Sequence, residues 1–355
     1  MRTALPAAAC ALALCRAPAC AWTFAVSGDS RNCGDVVIPA IAARAKKEKA
    51  AFYWHLGDLR KIVDFDEDME RRLDAPPLTS TQTYLATAWD DAEQNQLKPF
   101  APLPVYLGIG NHETVPPMTR AGFLGRFSTW LDAPALRAQR LADDPKAAAP
   151  RTYYHWRERG VDFVSLDNAS ADMFDDEQLA WLDGVLRRAA ADPAVKTVVA
   201  GMHEALPHSL SADHSMEQSR RGTDTGERVY RSLLALRAKG KRVYVLASHS
   251  HFYMDGVFNT EHWRRNGGAL PGWIVGTAGA FRYALPRDAG RANEARTDVY
   301  GLLLGRVRED GRVDFRFRRL KERDVPPSTA ARFRPGLVHW CFSENRTGAP
   351  GAKPF

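Results

Sequence analysis

The chain has 355 residues, enough to bury a large core as one α/β domain or two small ones. With 26% charged and 45% hydrophobic residues it has the composition of a globular protein, not a disordered or fibrous one. Its formal charge of +7 falls to about +5 once Arg2 and Arg16 are set aside with a leader, too small and dispersed a surplus to argue for a nucleic-acid-binding face.

Residues 1–21 read as an export signal. Arg2 precedes an Ala/Leu-rich core, interrupted by Arg16, and Ala19-Cys20-Ala21 is a small-x-small cleavage site. The alternative is a disordered N-terminus. The expectation is a periplasmic or secreted protein with a leader at 1–21, one domain at 22–320 and a draped, proline- and arginine-rich tail at 321–355. No later stretch is long and apolar enough to cross a membrane. Beyond the leader two cysteines remain, Cys33 and Cys341. In an oxidising compartment they either pair, tying the tail to the loop after the first strand, or stay buried thiols.

A first strand is expected at 22–28, ending in Gly28-Asp29. An amphipathic helix follows at 35–50, with Val37, Ile38, Ile41 and Ala45 on one face and a lysine-rich end that suits the helix dipole. The apolar run 51–54 leads through His55-Leu56 to Gly57-Asp58, a buried strand delivering a carboxylate through a glycine turn. After a charged stretch at 59–74 and Pro76-Pro77, a helix is predicted at 81–96. The run 105–110 leads into Asn111-His112-Glu113, and Pro116-Pro117 precedes another helix at 119–131. Residues 132–150, rich in Ala, Asp and Pro, read as a surface insertion. A hairpin joins 152–156 to 161–166 through Arg159-Gly160. Asp175 or Asp176 caps a helix carrying Leu179, Trp181, Leu182 and Leu186. The run 198–202 ends at His203. Residues 205–224 read as an irregular polar rim loop, and 227–239 as a helix ended by Gly240. A strand at 243–247 ends in Ser248-His249-Ser250-His251. A strand at 273–277 and a hairpin of 300–304 against 313–317 complete the core. This alternation of strands and helices predicts an α/β fold.

Five apolar runs thus each end in Asp, Asn or His. In open α/β sheets ligands bind at the carboxyl ends of the strands, so these groups point to a metal centre with Asp58 as its natural bridge. Singly, each has a plainer reading: Asp29 and Asp58 as helix caps, His203 as a satisfied core histidine, His249 and His251 as a surface pair on one side of a strand. Taken in order, Gly28-Asp29, Gly57-Asp58, Gly110-Asn111-His112-Glu113, His203 and His249-x-His251 resemble the calcineurin-like metallophosphoesterases, which include the purple acid phosphatases. The stretch Glu177-Gln178-Leu179-Ala180-Trp181-Leu182 and Gly276-Thr277-Ala278-Gly279 also look like these enzymes. The resemblance implies a four-layer α/β/β/α sandwich that hydrolyses phosphomonoesters or phosphodiesters through a metal-bound hydroxide. It implies one metal on Asp29, Asp58 and His251 and another on Asp58, Asn111, His203 and His249, of the Fe, Mn or Zn kind, with one or both sites filled. His112 would protonate or stabilise the leaving alkoxide, and Glu113 would orient His112 or a ligand. The expected partner is a small phosphoester; no nucleic-acid or membrane partner is indicated.

The departures from the family pattern cluster at the first metal. The family's first motif carries a His two residues after the aspartate, and here that residue is Arg31, whose guanidinium cannot ligate. Asn32, next along, is a candidate substitute. Purple acid phosphatases carry a Tyr three residues after the bridging aspartate; here it is Lys61, so no metal–tyrosinate colour is expected. Ser248 stands where glycine is usual. Arg31 is expected to grip phosphate oxygens and to supply part of a missing metal's charge. Arg60 and Lys61 either do the same or pair with Asp64, Asp66, Glu67 and Asp68. Glu204 and His208 read as solvated rim residues, and His214 carries no argument. Two further readings stay open. A nuclease or phospholipid-cleaving relative needs a basic groove or exposed aromatics, for which Trp263-Arg264-Arg265 is a candidate. A catalytically weak phosphate-binding protein is suggested by Arg31. A serine hydrolase is disfavoured, because no G-x-S-x-G elbow precedes a helix.

Overall fold

The computed structural model describes residues 21–169 and 173–349 and arranges twelve strands in two sheets. Apart from Ala21, the expected leader lies outside the described residues. In chain order the strands are β1 (Trp22–Ser27), β2 (Ala50–His55), β3 (Val105–Leu107), β4 (Tyr154–Glu158), β5 (Val161–Ser165) and β6 (Thr197–Gly201). They continue with β7 (Arg242–Ala247), β8 (Tyr253–Asp255), β9 (Gly272–Val275), β10 (Glu294–Arg296), β11 (Tyr300–Val307) and β12 (Val313–Leu320). One sheet runs β12-β11-β1-β2-β3, the other β10-β8-β9-β7-β6-β5-β4. The strands β1, β2 and β3 are parallel, as are β5, β6, β7 and β9.

Period-two alternation explains the layering. Phe24 and Val26 of β1, with Phe52 and Trp54 of β2, join Phe163, Val199 and Leu246 of the second sheet in the core between the sheets. The intervening Ala25 and Tyr53 belong to a second core with helix Gly34–Lys47. In the other sheet Val198, Ala200, Val243 and Val245 pack with helices Asp176–Ala191 and Arg220–Ala238. Both faces of each sheet are covered, which is why these strands read as nearly unbroken apolar runs. The expected α/β/β/α sandwich is the architecture found. Among the described residues no helix is long and apolar enough to cross a membrane.

Three segments differ from the sequence reading. The helix expected at 227–239 starts earlier, at Arg220, because the Ser219 hydroxyl caps it by accepting from the Gly222 N–H at 2.9 Å. Residues 132–150 contain a helix, Pro134–Asp143, whose Leu136 enters the core between the sheets. The stretch after Lys321 is folded rather than draped. It forms helices Pro327–Ala330 and Leu337–Ser343, and Phe333, Leu337 and Cys341 join the core beside helix Gly34–Lys47. Cys341 is disulfide-bonded to Cys33, at the N-cap of that helix and 308 residues away in sequence. Such a bond restrains the unfolded chain and fastens the loop that follows β1.

Candidate metal centre

At the carboxyl ends of the parallel strands the two sheets converge. The Gly28 N–H donates to the Val275 carbonyl at 3.0 Å, and the Ala278 N–H donates to the Gly28 carbonyl at 3.0 Å, so backbone of one sheet bonds to backbone of the other. Here Asp29, Asp58 and His249 all take left-handed backbone conformations, with φ of 61°, 61° and 62°. Non-glycine residues hold that region only under constraint, and such residues cluster at functional sites. Gly57 (φ 98°) and Gly110 let the two turns touch: a Cβ on Gly110 would lie 2.3 Å from Asp58 Oδ1. The Glu113 carboxylate fixes the same turns, accepting from the N–H groups of Asp58 (2.8 Å), Leu59 (2.8 Å) and Gly110 (2.7 Å). Of its two expected roles, orienting His112 or orienting a ligand, the contacts are those of the second: it holds the turn that carries Asp58.

Four donor atoms meet around one point. His203 Nε2 lies 3.0 Å from Asn111 Oδ1, 3.4 Å from Asp58 Oδ1 and 3.1 Å from His249 Nδ1. Its other ring nitrogen, Nδ1, is 3.0 Å from the Leu56 carbonyl, which can only accept, so Nδ1 carries a proton and Nε2 is the nitrogen that faces the other donors. Two oxygens and another imidazole meet it there, an arrangement that needs a positive charge among them, either a proton on Nε2 or a metal ion. This set of two imidazoles, a carboxylate and an amide oxygen fits a single transition-metal ion. Asp58, His203 and His249 by themselves satisfy the spacing of a metal-ligand group.

Beside these donors lies Arg31, only 8% exposed. Its Nη2 donates to His251 Nε2 at 2.9 Å, its Nη1 bonds His112 Nε2, and its Nε lies 3.7 Å from Asp58 Oδ2. His251 Nδ1 is held by the Phe281 carbonyl at 2.6 Å and His112 Nδ1 by the Lys61 carbonyl, so both rings turn a lone pair toward the guanidinium. Asp29 Oδ1, Asp58 Oδ2 and Arg31 Nε are buried there without hydrogen-bond partners. Unsatisfied buried polar atoms are rare, and three together mark a pocket shaped for a charged ligand.

No known family profile and no curated protein matches the sequence. Solved structures do match. Purple acid phosphatase PPD1 of yellow lupin (Lupinus luteus) seeds superposes with a TM-score of 0.53 at 15% identity, over 86% of this chain and 55% of that one. PhoD gives 0.52 at 14% identity, over 86% of this chain and 72% of its own. A dimetal phosphatase from Danio rerio gives 0.50 at 13% identity, over 84% and 96%. The chain has the fold of the metallo-dependent phosphatases. That is the fold the motif resemblance implied; the chain spans about half the length of the lupin protein.

Within this phosphatase fold the residues singled out from the sequence gather at one end of the sandwich. Asp29 Oδ2 accepts the His249 N–H at 2.7 Å, and Asp29 Oδ1 lies 3.2 Å from His251 Nε2. Burial pushes the Asp29 carboxyl up, but His251 and His203 outweigh it and hold the group at about 2. Asp58 is likewise held well below the usual range, by His203 and His112 against burial. Burial, reinforced by Arg31, lowers His251 to about 4; burial, reinforced by His203, lowers His249. Burial also lowers His112, so these three rings are neutral and able to accept at pH 7. His203 moves the other way, to about 10, because Asp58 outweighs its burial: the pocket draws a positive charge.

Other expectations are corrected or, where two alternatives stood open, decided. Asn32 does not replace the missing histidine, because its side chain donates to Glu67 at 2.7 Å and accepts from the Phe281 N–H at 3.1 Å. Arg60 grips no phosphate: it is fully buried against Asp35 (2.6 Å), Asp68 (3.2 Å) and Asp91. Lys61 pairs with Asp64 at 3.2 Å. Glu204 is buried beside His203 rather than solvated. Trp263 is buried and stacked on Tyr230 at 3.6 Å, so it offers no exposed aromatic platform. Two residues were not assigned to the site from the sequence: Tyr283 went unnoticed, and His214 was named but carried no argument. Tyr283 stacks on His251 at 4.1 Å, and His214 stacks on Tyr283 at 4.9 Å and meets the edge of His249 at 5.6 Å. Neither belongs to a motif; only folding brings them to the centre.

Proposed function

We propose that the protein is an exported phosphoester hydrolase that holds one transition-metal ion on Asp58, Asn111, His203 and His249 and uses the Arg31 guanidinium where a second ion would stand. The convergence of those four donor groups around His203 Nε2, next to a buried arginine, carries the reading. The phosphatase fold and the motif order support it. The Cys33–Cys341 bond supports export, since such bonds persist in oxidising compartments. When bound, an ion of the Mn, Fe or Zn kind supplies Lewis acidity toward a phosphoryl oxygen and lowers the pKa of a nucleophilic water.

The chain's own residues do the rest. Arg31 offers its N–H groups to the non-bridging oxygens of the phosphate, where transition-state charge accumulates. In doing so it releases His112 Nε2, which takes up a proton from solvent. As the new P–O bond forms and the bond to the leaving oxygen on the opposite side breaks, His112 gives that proton to the alkoxide, while the proton of the attacking water passes to solvent. Asp29 anchors the His249 backbone and keeps His251 against Arg31.

The test is metal analysis of the purified full chain beside a panel of aryl phosphomonoesters and phosphodiesters. One equivalent lost in Asp58→Asn, together with turnover of either ester class, is expected. No metal at Asp58 after incubation with Mn, Fe and Zn overturns the enzyme reading. Tight retention of inorganic phosphate without turnover favours the binding protein instead.

A further inference from the structure

Outside the centre, four metal-ligating side chains from four segments come together. His208 follows β6, Glu217 lies in the short turn Met216–Gln218, Glu227 is on helix Arg220–Ala238, and His262 is on helix Glu261–Arg265. Donor atoms of His208, Glu227 and His262 lie within 4.8 Å of one another. His208 Nε2 is 2.8 Å from Glu227 Oε1, and its Nδ1 is 3.2 Å from Glu217 Oε1. The rings of His208 and His262 stack at 3.6 Å, and His262 Nε2 is closed to solvent without a hydrogen-bond partner.

We propose that His208, Glu227 and His262 form a second, peripheral site for a borderline transition-metal ion such as zinc. Two glutamates flank the two nitrogens of His208, and carboxylates can only accept. With a metal, Nδ1–H donates to Glu217 and Nε2 ligates. A metal-bound histidine almost always makes such an outer bond to a carboxylate or carbonyl. The otherwise orphaned His262 Nε2 becomes a ligand, and one Glu227 oxygen completes a two-histidine, one-carboxylate set with room for water.

The surroundings hold this geometry. His208 sits at a left-handed φ of 58°. Its carbonyl accepts from Thr260 Oγ1 at 2.8 Å, and the preceding Pro207 carbonyl accepts from Trp263 Nε1 at 2.9 Å. Arg231, the remaining charged group of the cluster, is 2.9 Å from Glu227 Oε2 and leaves Oε1 to the site. The consequence is mechanical. The segment from His203 to Ser219 leaves the catalytic centre, is fastened at His208, and returns to place His214 against Tyr283. A metal at His208 staples that rim to two helices.

Zinc equivalents and melting temperature would be measured on the full chain and on Asp58→Asn, His262→Ala and Glu227→Gln, each checked for folding by circular dichroism. The expected result is one zinc equivalent lost in His262→Ala and in Glu227→Gln but retained in Asp58→Asn. A zinc-dependent rise in melting temperature should persist in Asp58→Asn and disappear in His262→Ala. Unchanged stoichiometry and an unchanged zinc response in both peripheral variants would overturn the site. Because the centre is counted separately through Asp58, its failure and this one are read apart.

Discussion

Two buried arginines flank the turn at Asp58 and meet opposite surroundings. Arg60 is enclosed by carboxylates: Asp35, Asp68 and Asp91 at hydrogen-bond range and Asp66 at 3.9 Å, with Nε donating to the Ala88 carbonyl. Its fork is saturated, and burial is outweighed by Asp35 and Asp68, so its pKa rises. Those aspartates also tie the loops together, for Asp66 accepts the Asn32 N–H at 2.6 Å and Asp68 the Asp35 N–H at 2.7 Å. Arg31 lies among imidazoles, its nearest carboxylate oxygen 3.7 Å away and its Nε unpaired. A buried cation whose partners are complete is scaffold; one whose partners are neutral lone pairs has charge left to offer an anion.

The largest expected effect separates the two on stability. Arg60→Ala leaves a group of buried aspartates without their cation, which costs about 3–5 kcal/mol. In a chain of this size that lowers the melting temperature by roughly 5 °C. Activity per folded molecule, measured below the new transition, should change little. A thermal melt that matches wild type would break the comparison, because Arg60 would then be dispensable to the loops it joins.

Arg31→Ala should do the reverse. The fold stays near wild-type stability, since losing Arg31 strands no carboxylate at hydrogen-bond range, while kcat/KM on an aryl phosphate falls about 100-fold, as for loss of one donor to transition-state charge. Arg31→His sharpens the point. It returns an imidazole donor beside Asp29, Asp58 and His251, so the number of ions lost on Asp58→Asn should rise from one to two. A count that stays at one would mean that something other than the arginine keeps the second ion out.

The sequence set Arg31 apart by its place in the first motif but left Arg60 undecided, and the reason is physical. The strand ends were legible because their signals are local: an apolar run, then Gly-Asp, Asn-His or His-x-His, each turn made by residues adjacent in the chain. The fold followed, since runs apolar on both faces imply layers on both sides. Arg60's decisive partners Asp35 and Asp91 are far from it in sequence, and only the convergence of loops shows that the fork is full. Lys61 and Asp64 were neighbours and could be paired on sight. Glu204 read as rim because an acid after a strand is usually solvated; in the fold it is buried, with its N–H and carbonyl both held by the distant Asn168 side chain. Tyr283 and His214 carry no spacing that a one-dimensional pattern records. The tail looked draped because its prolines hide a short helix whose Cys341 is anchored to Cys33.

A third buried cation, remote from the centre, extends the rule to pH. His155 of β4 is bonded at Nδ1 to Asp162 (2.7 Å) and at Nε2 to Asp143, which also meet Arg157 at 3.6 Å and Arg188 at 2.8 Å; Trp181 covers the ring edge-on. Burial lowers His155, but Asp143 and Asp162 outweigh it and raise the ring to about 9. A group raised above its unfolded value of about 6.5 adds stability in full below that pH and loses it as pH climbs through the folded value. Unfolding free energy, measured by urea titration, should therefore decline between pH 6.5 and 9 by on the order of 2 kcal/mol more in wild type than in His155→Gln. Asp143, held low by His155 and Arg188 against burial, stays ionised across this window and adds no slope. If the two proteins decline in parallel, His155 is not an imidazolium in the folded chain. Complete pairing would then be insufficient to keep a buried cation charged, and Arg60 would owe its scaffold role to a guanidinium that cannot lose its proton rather than to its carboxylates.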